Sequence, residues 1–281
     1  MPVWTFTRLT LHEASRNRLL AIAFGLTLVY VALVGWGAHA IADHSANLLA
    51  AVSSAAGLEL VVFFFGSFML VLLAVFVSGH SIRQESESGL LQAVLTKPVR
   101  RLDLLAGRWL GSALVLTGWV ALFTVGVVLG VGLAVGFYPP HPVQAGALML
   151  LESLVILSLR LLFGSFLGTL ASGIVPLLIW GLARIAGLVE TVGKALNISS
   201  MVTAGIVTSL IVPTDVLARG SSYELLPAVL SLAGQDVALS ATRGNPFVSV
   251  TPVAGPMLIW SVLYVVVAFA LGARIFSRRD V

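Results

Sequence analysis

The chain has 281 residues, of which 58% are hydrophobic and only 10% charged, with a net charge of +4 and no cysteine. Soluble domains carry about 25% charged residues, so this composition excludes an ordinary soluble protein, and the missing thiols exclude disulfides, thiolate metal sites and cysteine nucleophiles. A mean hydropathy of +1.04 suits a chain solvated by lipid, where every backbone polar group must be satisfied internally. Its apolar runs are long and continuous rather than alternating as in barrel strands, which makes the fold an all-α integral membrane protein.

Residues 1–18, with Arg8, Arg16 and Arg18, are expected to form an interfacial helix. They precede a first span over 19–40, about as long as a true crossing and so not a cleavable leader. The second span is placed at 57–79, with Glu59 at its outer end among the headgroups. A polar loop follows over 80–108, then a third span over 109–137 that stops at Tyr138-Pro139-Pro140. Spans at 145–170 and 174–189 are joined by the short turn Ala171-Ser172-Gly173, with Pro176 acceptable in the first turn of the second. A mixed outer loop, 190–256, leads to a sixth span at 257–275. Within that loop 198–212 is apolar but only about 15 residues long, which predicts a re-entrant or interfacial helix rather than a crossing.

Eleven of the sixteen lysines and arginines fall in the N-terminal segment, the 80–108 loop and the C-terminal tail. Six spans put all three segments on one side, which the positive-inside rule makes the cytoplasm. The charge rule thus puts both termini in the cytoplasm, and the expected location is the plasma membrane of a prokaryote. The same rule explains the basic pI, so no nucleic-acid partner is expected.

In the 80–108 loop, Glu85 and Glu87 precede Leu90, Leu91, Val94 and Leu95, which share one face of a short helix stopped by Pro98. That face needs a protein partner, or else lies on the lipid interface. The pattern Glu85-x-Glu87-x-Gly89-x-Leu91, then Pro98-Val99-x-Arg101, then Gly107-Arg108-x-x-Gly111 resembles the permease subunits of type 2 ABC transporters. Leu90 stands where the family usually has Thr. The resemblance implies that Glu85, Glu87, Gly89, Leu90, Leu91, Val94, Leu95, Pro98 and Arg101 form a coupling helix docked on a separate ATPase subunit. It also implies two ATPase copies holding ATP and Mg²⁺, no cofactor on this chain, a second permease copy or related permease, and export of a lipid, hydrophobic drug, peptide or maturation factor. Glu13, Arg16 and Arg18 match the family's N-terminal helix. Pro213, Thr214, Asp215 and Arg219 resemble an outer-loop element of permeases that serve nitrous-oxide-reductase maturation, which leaves this loop open to an extracytoplasmic partner.

No ATP site is expected on the chain itself: the stretch from Gly187 to Gly193-Lys194 has one residue too many, and Ala195 replaces the hydroxyl that Mg²⁺ requires. The histidines lack ligand spacing, so no metal is assigned, and no hydrolytic motif appears. Glu152, Arg160 and Arg184 are mid-span charges, which are costly in lipid. Glu152 and Arg160 lie roughly 12 Å apart along one helix, so an Arg184–Glu152 pair is expected, with Arg160 snorkelling or facing a wet cavity. Such a cluster either fixes helix packing or contacts a substrate. An ion-driven secondary transporter with broken midplane helices and a non-transporting scaffold are the alternative functions.

Overall fold

The computed structural model describes residues 2–45, 48–77, 101–225 and 252–277, and all regular structure in them is helical. The elements are α1 (Pro2–Arg16), α2 (Arg18–His44), α3 (Leu48–Val77), α4 (Arg101–Val135), α5 (Pro142–Gly164), α6 (Thr169–Leu196), α7 (Ser199–Ile211), α8 (Thr214–Glu224) and α9 (Gly255–Ser277). Six of them, α2 to α6 and α9, are long and apolar enough to cross a membrane.

The helix ends differ from the hydropathy boundaries for local reasons. α3 starts at Leu48 rather than near residue 57 because the alanines between 50 and 56 are strong helix formers despite the serines among them. Glu59 consequently lies about three turns inside the helix, and its side chain is fully buried against the rest of the bundle. The turn between α5 and α6 falls at residues 165–168, ahead of Ala171-Ser172-Gly173. Pro176 therefore sits inside α6, where it withholds an N–H from the Ser172 carbonyl.

The core is aromatic and lies among α2, α3, α4 and α5. Phe123 of α4 stacks on Trp119 at 5.0 Å and meets Phe63 edge-on at 5.4 Å. Its ring occupies the space a side chain at Gly66 would take. The glycine pairs of α4 serve contacts inside the chain. Gly130 packs against Gly35 of α2, with Val31 over Gly126. Gly107 and Gly111 receive α1, and a Cβ at Gly107 would lie 2.4 Å from Phe6 Cβ and 2.7 Å from the Val3 carbonyl oxygen. Since backbone cannot yield there, Gly107→Val is expected to loosen α1 by about 1–3 kcal/mol. Limited trypsinolysis after Arg8 should then run roughly tenfold faster, and an unchanged rate would show that the clamp does not hold α1.

α6 ends at Asn197, whose φ of 56° closes the helix in the left-handed conformation, with the Ile198 N–H donating to the Gly193 carbonyl at 2.8 Å. This turn folds α7 back along α6. Gly193 meets Met201, and Gly205 meets Glu190 and the Ala186 carbonyl, which fixes an antiparallel pair at backbone distance. At Val212-Pro213 the chain bends by 100° into α8. The Trp260 indole of α9 donates to the Leu210 carbonyl at 2.9 Å, and the Ser221 hydroxyl of α8 donates to the Ala145 carbonyl of α5 at 2.9 Å.

Candidate functional site: a charge ladder through the bundle

Thirteen residues of α7 descend about 20 Å, close to the distance from Leu196 back to Arg184 on α6. The bend at Pro213 thus delivers the start of α8 to the level of the mid-span charges. There Arg184 Nη2 lies 3.4 Å from Glu152 Oε1 of α5, while its Nη1 lies 3.8 Å from Asp215 Oδ1 of α8. Asp215 Oδ2 is 2.7 Å from Arg219 Nε, an ion pair without the alignment of a hydrogen bond. Arg219 Nη2 donates to Glu190 Oε2 at 2.8 Å, and Lys194 Nζ donates to Glu190 Oε1 at 2.5 Å.

The result is a ladder of six alternating charges, Lys194, Glu190, Arg219, Asp215, Arg184 and Glu152, with no net charge. It runs from the exposed Lys194 near the end of α6 to the middle of α5, and the side chains below Lys194 are at most 12% exposed. Burying each ion costs several kcal/mol, which only close partners and further hydrogen bonds offset. Those bonds are present at the inner end. Glu152 accepts from the Ser67 hydroxyl of α3 at 2.7 Å and from the Trp180 indole at 2.8 Å. Ser67 Oγ in turn accepts from Arg184 Nη2 at 2.8 Å. The guanidinium also lies over the Phe64 and Trp180 rings, at 5.5 and 5.3 Å. A cavity of about 10 Å³ beside Ser67, Arg184 and Ser222 is wide enough for little more than a water molecule.

Two glycines make room for the acids. A Cβ on Gly187 would lie 2.0 Å from Asp215 Oδ2, and one on Gly205 2.3 Å from the Glu190 Cβ. The near-miss of a phosphate loop at Gly187 to Lys194 is thus continuous helix whose small residue seats a carboxylate.

Of the residues expected to matter, the structure joins Glu152 and Arg184 and adds Asp215 and Arg219 to them. Arg160 stands apart: it is buried, and its guanidinium binds the Ser172 hydroxyl and the Thr169 carbonyl at the start of α6. These contacts form because the turn at residues 165–168 brings the start of α6 over it. Pro213 occupies the bend, and Thr214 is fully buried. Residues Glu85, Glu87, Gly89, Leu90, Leu91, Val94, Leu95 and Pro98 lie outside the described residues, and Arg101 opens α4. Ser67, Trp180, Glu190 and Lys194 were not expected in the site; the i,i+4 spacing of Glu190 with Lys194 and of Asp215 with Arg219 was the available signal.

The chain is 35% identical over 119 residues to a Pseudomonas aeruginosa protein named "Probable ABC transporter permease protein NosY", a match covering 41% of each chain. It is 30% identical over 145 residues to the protein of the same name from Stutzerimonas stutzeri, covering 48% of this chain and 50% of that one. The chain therefore aligns with half or less of the length of these curated relatives. A family model described as "ABC-2 family transporter protein" matches residues 14–281, which takes in all six spans and the whole ladder. This multi-pass membrane protein belongs to the ABC-2 family of transporter proteins.

Proposed function

We propose that the chain is the permease half of an ATP-driven exporter, with ATP and Mg²⁺ held by two copies of a separate ATPase. A second copy or a related permease supplies the other half of the pathway, in a prokaryotic plasma membrane with both termini cytoplasmic. The observation that carries this reading is the start of α4. Arg101 opens that helix directly after the segment resembling a coupling helix, and its first turns are clamped to α1 through Gly107 and Gly111. A push on the loop therefore moves α1 and α4 as one body, and α3 from the loop's other end. Ser67 of α3 binds both Glu152 and Arg184, so a tilt of α3 pulls on the ladder and, through Asp215 and Arg219, on the α7–α8 hairpin. Displacing that hairpin opens the outer half of the bundle.

The chain has no cysteine, so Ser222→Cys gives a single thiol beside the ladder. In proteoliposomes containing the ATPase, an external membrane-impermeant maleimide should label it several-fold faster in the vanadate-trapped complex than without nucleotide. Labelling that ignores nucleotide would exclude ATP-driven opening at the hairpin. The helix break near the level of Arg184 favours a second reading, an ion-driven transporter. That reading expects the labelling to follow an imposed ion gradient instead.

A further inference from the structure

An apolar slot opens on the side of the bundle between α2 and α3, with a volume of about 320 Å³. Leu19, Ile22 and Leu26 form one wall, Phe68 and Phe76 the other, and Trp119 of α4 closes the floor. The wall residues are all exposed, whereas Trp119 is buried. The one hydroxyl in the lining is engaged: Thr27 donates to the Ala23 carbonyl at 2.8 Å and accepts from the Trp119 indole at 2.8 Å. The slot therefore offers hydrocarbon alone. From Leu19 to Thr27 it runs about 12 Å, less than half of a hydrocarbon core about 30 Å thick, so it lies within one leaflet.

Any groove on a lipid-facing surface fills with hydrocarbon; the residues at the mouth distinguish this one. At the Leu19 end, Arg18 begins α2 and Arg16 ends α1, both exposed and separated only by Asn17, whose side chain caps α2 through the Leu19 N–H at 2.9 Å. Two exposed arginines, one and three residues ahead of Leu19 at the end of a hydrocarbon slot, match the chemistry of a lipid phosphate, which arginine binds with paired N–H donors. We infer that the slot holds an acyl chain of one anionic phospholipid from the leaflet on the N-terminal side, its phosphate against Arg16 and Arg18. A second copy of the chain fits less well, because a two-fold axis through the slot would set hollow against hollow. The bound lipid would fix the angle at which α1 meets α2. This inference does not depend on the transport reading.

The test uses the full chain in phosphatidylcholine nanodiscs containing a small fraction of phosphatidylglycerol with a photoactivatable acyl chain. Crosslinks mapped by mass spectrometry are expected to concentrate in residues 19–27 and 68–76, several-fold above those from phosphatidylcholine carrying the same probe. Arg16→Gln with Arg18→Gln should erase the preference for the anionic headgroup, and Ala23→Phe should fill the slot and remove the label there. Even labelling of all lipid-facing helices, or equal labelling by the two lipids, would overturn the inference; both are read on the wild-type chain, so a variant that fails to fold does not obscure the answer. If Ala23→Phe instead dissociates a dimer seen by native mass spectrometry, the slot belongs to a second copy and the lipid assignment fails.

Discussion

Arg184→Met is expected to destabilise the bundle by about 3–5 kcal/mol, the range for removing one partner of a buried ion pair, and to abolish any transport the complex performs. Methionine fills much of the same volume but leaves Glu152 and Asp215 on either side without the cation between them. The ladder as a whole then goes from neutral to a net charge of −1. In a thermal melt followed by fluorescence the transition should fall by on the order of 10 °C. The informative comparison is the double variant with Glu152→Gln. Removing both members at the inner end leaves four alternating charges and no imbalance, so more than half of the lost stability should return. A cycle of this kind isolates the coupling because the two residues are direct neighbours. If the single and double variants melt together, charge balance is not what holds the hairpin in place.

If residues 90–95 dock on the ATPase as proposed, Leu91→Asp with Leu95→Asp should sever the chain from that subunit while leaving the bundle intact. Burying two leucines in a partner's groove contributes about 1.5–3 kcal/mol each, so placing carboxylates there is expected to weaken association by 100-fold or more. Co-purification of the co-expressed ATPase reads this directly, and the melting transition of the permease should not move. If the ATPase still co-purifies in full, the apolar face of residues 90–95 rests on the membrane surface and coupling must run through other residues.

The six spans were legible because continuous hydrophobicity is imposed by the solvent, and the Arg184–Glu152 pair because two adjacent helices leave mid-span charges few alternatives. Helix ends were less legible. The alanines at 50, 51, 55 and 56 are helical by propensity but score weakly as lipid-facing residues, so α3 begins well ahead of the expected span and the burial of Glu59 was not foreseen. Asp215, Arg219 and Glu190 were assigned to an outer loop, where charges need no partner. Their place in the site depends on a left-handed Asn197 and a 100° bend, neither of which leaves a periodic trace. The length of the apolar run was itself the clue, since thirteen helical residues reach about as far back as Arg184.

The alternation of charge along the ladder also dictates an order of assembly. Asp215 and Arg219 form a neutral i,i+4 pair within α8 itself, but each has a second partner, Arg184 or Glu190, on α6. Seating α8 before α6 is in place would carry both ions into the bilayer with only one another for company. On the proposed topology the α7–α8 segment is then a late arrival in biogenesis, settling from the outer surface after the spans around it have met. Newly inserted chains should pass through a stage in which residues 199–225 are open to external protease and become protected only as the ladder closes.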